Sequence, residues 1–95
     1  MSAYVIADIN VHDPEKFEEY KKQAGPTSAE FGGKYLVRGG KLEALEGGWN
    51  PARFVIIEFP SVEKAKAWWN SQAYEGPKAI RQAAAKSNFI VVEGM

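Results

Sequence analysis

The sequence contains no cysteine and a single histidine. The first absence excludes disulfides, thiolate metal sites and cysteine nucleophiles together. The second excludes a metal centre built from several histidines of one chain. No apolar run approaches the ~18 residues that a membrane-spanning helix needs. The opening stretch, MSAYVIADINVHD, has no basic region ahead of an apolar one, so no secretory leader is read there and the expected location is the cytoplasm. An excess of one charge is missing as well: twelve basic and twelve acidic residues cancel. With no basic patch to neutralise phosphates, neither nucleic acid nor a membrane is an expected partner.

What is present is a 95-residue chain, 45% hydrophobic and 25% charged, the size and composition of one globular domain. Such a chain buries only about 60–68% of its unfolded surface, so a partner subunit would add usefully to its core. Ala3–Val11 (AYVIADINV) alternates Val5, Ala7 and Ile9 against Tyr4, Ile6 and Asp8 and reads as a strand. Asp13-Pro14 caps a helix whose apolar face is Phe17, Tyr20, Ala24 and Phe31, with a kink expected at Pro26 and an end at Gly32-Gly33. Lys34–Arg38 and Arg53–Phe59 read as two further strands. Between them lies a glycine-rich connector, in which KLEALE (41–46) suggests a short strand of its own. Ser61 caps a second helix with Val62, Ala65 and Trp69 inward and Trp68 at its edge. Asn70-Ser71 is read as a break, Pro77–Lys86 as a restarted helix and Asn88–Glu93 as the last strand.

The order β-α-β-β-α-β predicts an α+β, ferredoxin-like fold, a four-stranded antiparallel sheet with helices on one face. Strands one and three are expected as parallel neighbours at its centre. Both carry apolar residues on the face that the helices leave open: Tyr4 and Ile6, Phe54 and Ile56. A bare patch of that kind exceeds what a monomer usually tolerates, so a second copy of the sheet is expected to cover it. The alternative cover is the connector, Gly39–Ala52, folded back over the sheet.

The same parity places Asp8 and Glu58 on that open face. If the two strands run parallel and in register, the carboxylates meet, raise one another's proton affinity, and one becomes a general acid or base. The alternative is a pair of solvated rim carboxylates, salt-bridged to Lys34 or Arg38. His12 is either a proton shuttle or an exposed loop residue. Arg38, beside Gly39-Gly40, is a candidate to hold a carboxylate or phosphate. Trp49 either lids a pocket or seals a subunit contact. Tyr74 and Arg81 either reach the mouth of the barrel or anchor the helix to the sheet. Neither glycine-glycine-lysine run has the spacing of a phosphate-binding P-loop.

The stretches AYVIADINVHDPEKFEEY, GGKYLVRGG, WNPARFVIIEFPS, KAWWNSQAY and IVVEGM together resemble the family called domain of unknown function 1330. The resemblance spans essentially the whole chain, and its specific parts are VHDP, YLVRGG and the EFPS strand-to-helix junction. It implies a dimeric α/β barrel. Relatives in that superfamily include cofactor-free monooxygenases of quinone-type substrates, isomerase-like and dehydratase-like enzymes, and haem-linked enzymes. They hold ligands between sheet and helices or inside the barrel. The family brings no residue role with it. Haem is not expected, because its usual axial ligand is histidine and His12 lies on the wrong element, so no cofactor is expected.

Two functions follow. One is a cofactor-independent enzyme acting on a small hydrophobic or aromatic metabolite, with Asp8 and Glu58 moving protons. The other is a non-catalytic dimeric module that binds a small molecule or has only a structural role.

Overall fold

The computed structural model describes all 95 residues. Its elements are β1 (Ala3–Val11), α1 (Pro14–Ala29), β2 (Lys34–Arg38), β3 (Arg53–Phe59), α2 (Val62–Trp69), α3 (Gln72–Ala84) and β4 (Ala85–Glu93). The strands form one antiparallel sheet in the order β2-β3-β1-β4, the ferredoxin-like arrangement. β1 and β3 are indeed the central neighbours, but they run antiparallel, not parallel. The crossover through α1 returns β2 parallel to β1, and the β2–β3 connection then reverses the chain.

The helices start where their caps dictate. The Asp13 side chain accepts the Lys16 amide and Pro14 follows at the first position. Ser61 and Ser71 do the same for α2 and α3, each accepting the amide three residues on. The Ser71 cap starts α3 five residues before Pro77, so Gly76-Pro77 lies inside a helix and does not restart one. α1 continues through Pro26 and ends at Ala29, and Gly32 then takes φ +81°, a conformation that favours glycine. α3 passes into β4 with no loop, which makes β4 three residues longer than its alternation suggests. The connector between β2 and β3 contains no strand at 41–46; these residues are exposed throughout.

Alternation along β1 buries Ala3, Val5, Ala7 and Ile9 beneath the helices, joined by Val55, Ile57 and Phe59 of β3. Trp68 is the fully buried residue of its pair, 0% exposed, and Trp69 is the half-buried one, the reverse of the order expected. Trp68 packs on Tyr74 (ring centroids 4.1 Å) and Phe59 (5.4 Å), and its indole N–H donates to Thr27 Oγ1 at 3.1 Å. Trp69 turns to Phe89 and Lys78 at the α2–α3 junction.

Candidate functional site

The open face of the sheet carries Asp8 and Glu58 on one side, as parity requires, but at opposite ends. Asp8 stands opposite Phe54, and Glu58 opposite Tyr4. Four residues of strand separate the two, about 13 Å at the usual rise. The shared-proton pair read from the sequence is therefore not formed, because it depended on parallel strands. Asp8 instead accepts the Trp49 indole N–H (3.2 Å) and the Ala52 amide (3.1 Å), pinning the connector to β1. Trp49 lies edge-on to Phe54 and stays largely exposed. Glu58 accepts the Tyr4 hydroxyl at 3.4 Å and stands opposite Lys34 on β2. His12 is exposed, its backbone amide bound to Ala84 O. Replacing Asp8 with alanine is expected to free the connector at a cost near 1 kcal/mol. Faster tryptic cleavage at Lys41, with unchanged far-UV circular dichroism, checks this.

The remaining candidates converge on the other face. A β-bulge between Tyr35 and Val37 shifts the register of β2, so Arg38 stands opposite Val55 on the helix side of the sheet, where it stays exposed at the edge. There its guanidinium lies 4.5 Å from the Tyr35 ring and donates to Lys21 O at 3.3 Å. Arg53 begins β3 with the parity of Val55 and Ile57 and stacks over Phe17 at 5.5 Å. It also packs against Gly39, where φ is +71° and a Cβ would collide with the guanidinium. Tyr74 is fully buried, its hydroxyl 2.8 Å from that of Tyr20.

Arg81 is the least expected member. It is 3% exposed and caged by Phe89 (4.1 Å), Trp69 (5.7 Å) and Tyr20 (5.8 Å). The ion pairs of the chain, Glu18–Lys21 and Glu19–Lys22, lie outside the cage and involve no arginine. Burying a cation costs several kcal/mol even after relaxation. Cation–π contacts return about 2 kcal/mol when desolvated. The cage alone does not close that difference.

Between α1 and the sheet these side chains enclose a crevice of about 20 Å³, lined by Ile9, Phe17, Tyr20, Tyr35, Arg38 and Arg53 among others. It has room for one water. Its polar groups are the hydroxyls of Tyr20 and Tyr35, the guanidinium ions of Arg38 and Arg53 and the Lys21 side chain; no carboxylate or imidazole lines it. Burial, reinforced by Tyr74, raises the Tyr20 hydroxyl pKa far above the ordinary tyrosine value, with Arg81 opposing in part. Burial likewise raises that of Tyr35, against the pull of Arg38. Both stay protonated as hydrogen-bond donors. A second cavity, about 260 Å³ and almost wholly apolar, lies between α2 and β4 beside Trp69 and Phe89.

Of the sequence candidates, Arg38, Tyr74 and Arg81 thus come together, while Asp8, Glu58, Trp49 and His12 do not join them. Tyr20, Tyr35 and Arg53 were missed. Arg53 was findable, because its parity matches the buried residues of β3; the tyrosines look like ordinary core residues.

The fold has close counterparts among solved structures. A protein of unknown function from Rhodopseudomonas palustris superposes with TM-score 0.81 at 20% identity, covering 99% of this chain and 82% of that one. A dimeric ferredoxin-like protein of unknown function from Jannaschia sp. CCS1 gives 0.76 at 10% identity, over 99% and 100%. SnoaB, a cofactor-independent oxygenase from Streptomyces nogalater, gives 0.71 at 12% identity, over 99% and 93%. No curated protein sequence matches this one. The family model of the domain of unknown function DUF1330 matches residues 2–95, and the chain belongs to that family.

Proposed function

We propose that the chain forms a homodimeric α/β barrel that binds a small oxygenated metabolite between sheet and helices and stabilises its enolate or phenolate form without a cofactor. The observation that carries this reading is the one-sided chemistry of the crevice. Tyr20, Lys21, Tyr35, Arg38 and Arg53 line it with donors and positive charge, Tyr74 and Arg81 stand against Tyr20 behind the lining, and no carboxylate or imidazole lines it. Fixed donors in a water-poor site favour an oxyanion over its neutral parent. An enolate or phenolate is also the electron-rich form in which an aromatic substrate reacts with dioxygen unaided. The structural likeness to SnoaB is in keeping with this reading. A ligand larger than water enters by parting Arg38 from Lys21 O, a long and exposed hydrogen bond.

The missing base supports a second reading, a module that binds the anion and turns nothing over. One titration addresses both. 4-Nitrophenol, followed by its visible phenolate absorbance, is expected to bind with a lowered pKa. Replacing Tyr20 with phenylalanine is expected to weaken phenolate binding about tenfold, the loss of one hydrogen bond to a charged group. An unaltered absorbance titration at millimolar protein would sink the oxyanion reading. Oxygen uptake with small hydroquinones then separates enzyme from module.

Dimer formation rests on the open face. Its central row, Val37–Ile56–Ile6–Ile90, crosses all four strands, and Ile90 is 60% exposed in the single chain. The connector reaches this face at Asp8 and Phe54, through Trp49 and Ala52, at the next pair along that face from the row. Similar folds from Jannaschia sp. CCS1 and Thermobifida fusca are described as dimeric.

A further inference from the structure

We propose that Arg81, Arg53 and Ser87 form a carboxylate-binding subsite beside the crevice, which Arg53 and the Phe89 ring under Arg81 help to line, so that the molecule bound there carries a carboxylate. This rests on the crevice being a ligand site and specifies what it takes. Three buried side-chain polar atoms in the chain lack a hydrogen-bond partner: Arg53 Nε, Arg81 Nε and Ser87 Oγ. Buried polar atoms are nearly always paired, so three orphans call for an explanation.

They are not scattered. Arg53 and Ser87 both stand opposite Ile9, one on each neighbouring strand, and all three share the helix-covered face. Arg81 descends from α3 onto Phe89, two residues along β4 from Ser87. The aromatic cage offsets only part of the cost of burying the Arg81 charge and leaves the orphaned atom without a partner. Ring faces take the flat side of a guanidinium, while its N–H groups point outward in the plane. A carboxylate meets that edge with two parallel hydrogen bonds. The serine hydroxyl adds a third donor, and Arg53 supplies a second charge from the far side of Ile9. The narrow, aromatic-walled crevice suits a planar oxyanion better than a tetrahedral one.

Benzoate, its neutral counterpart benzamide and inorganic phosphate are the probes, read by calorimetry and by the Nε–H resonance of Arg81. Benzoate is expected to shift that resonance and to bind at least about tenfold more tightly than benzamide. Arg81→Met is expected to cost benzoate about thirtyfold and benzamide little. Because Arg81 is buried, Arg53→Met, at a half-buried position, serves as the second variant, with an expected loss of about tenfold for benzoate. Equal binding of benzoate and benzamide would overturn the carboxylate subsite and leave the crevice as a binding site. No binding of either would overturn both. Phosphate displacing benzoate at equal concentration would overturn the assignment to a carboxylate.

Discussion

Trp68→Ala is expected to remove about 3–5 kcal/mol of folding stability, the largest loss available from one side chain here. A chain of 95 residues has roughly 5–14 kcal/mol in total at ordinary stability per residue. The variant is therefore expected to lose between about a fifth and all of that stability, with its urea midpoint moved down in proportion. The argument is geometric. Trp68 is fully buried, and three aromatic rings, Phe59, Trp69 and Tyr74, lean on it. Its indole N–H ties α2 to Thr27 of α1. Removing it leaves a cavity walled by side chains that other contacts already hold. Trp68→Phe keeps a ring in place and loses the Thr27 hydrogen bond, for about 1 kcal/mol. The crevice should feel the alanine variant before the fold does, because Tyr74 holds the Tyr20 hydroxyl and rests on Trp68. A urea midpoint within error of the wild type would refute the assignment of Trp68 as the centre of the core.

That residue also shows where the sequence stops being legible. Period-two alternation along Ala3–Val11 and Arg53–Phe59 marked both central strands at their observed bounds, and Asp13-Pro14 and Ser61 marked two helix starts. These signals are local, and local physics suffices for them. Which of Trp68 and Trp69 faces inward depends on how α2 lies on β1 and on where α3 begins. Neither is written in α2 itself. The face on which Arg38 lies was illegible for a similar reason: strict alternation from Lys34 puts it on the open face, and the bulge between Tyr35 and Val37 reverses it. The Asp8–Glu58 pair failed at the level of strand direction, one step above parity. Both carboxylates share a face as expected, and the antiparallel register sets them apart. Tyr20 was legible as a buried ring on its helix, whereas Tyr74 fell between the break read at Asn70-Ser71 and the restart read at Pro77 and lies inside α3. Their hydroxyl contact spans 54 residues and belongs to the tertiary structure alone.

Ile56→Lys is expected to convert the dimer to a folded monomer. Ile56 lies mid-row on the open face, between Val37 and Ile6, and none of the helices touches that side. A standard interface hides about 800 Å² per partner, roughly an eighth of the 6111 Å² that this chain exposes alone. The sheet face is large enough to supply it. A twofold axis brings the substituted position of one copy towards that of the other. Each lysine then loses water beside apolar side chains, at several kcal/mol per ion. A dimer of micromolar to nanomolar affinity is held by only about 8–12 kcal/mol. The isolated sheet tolerates the substitution, because water solvates the ammonium, so far-UV circular dichroism should not change. Native mass spectrometry reads the result directly: twice the chain mass for wild type and Ile56→Val, the single mass for Ile56→Lys. A wild-type monomer, or a lysine variant that stays dimeric, would remove the open face as the interface. The crevice lies on the opposite side of the sheet and draws all its polar groups from one chain. The monomeric variant should therefore bind benzoate as the dimer does, which tests whether the ligand site and the interface are separate properties of the two faces.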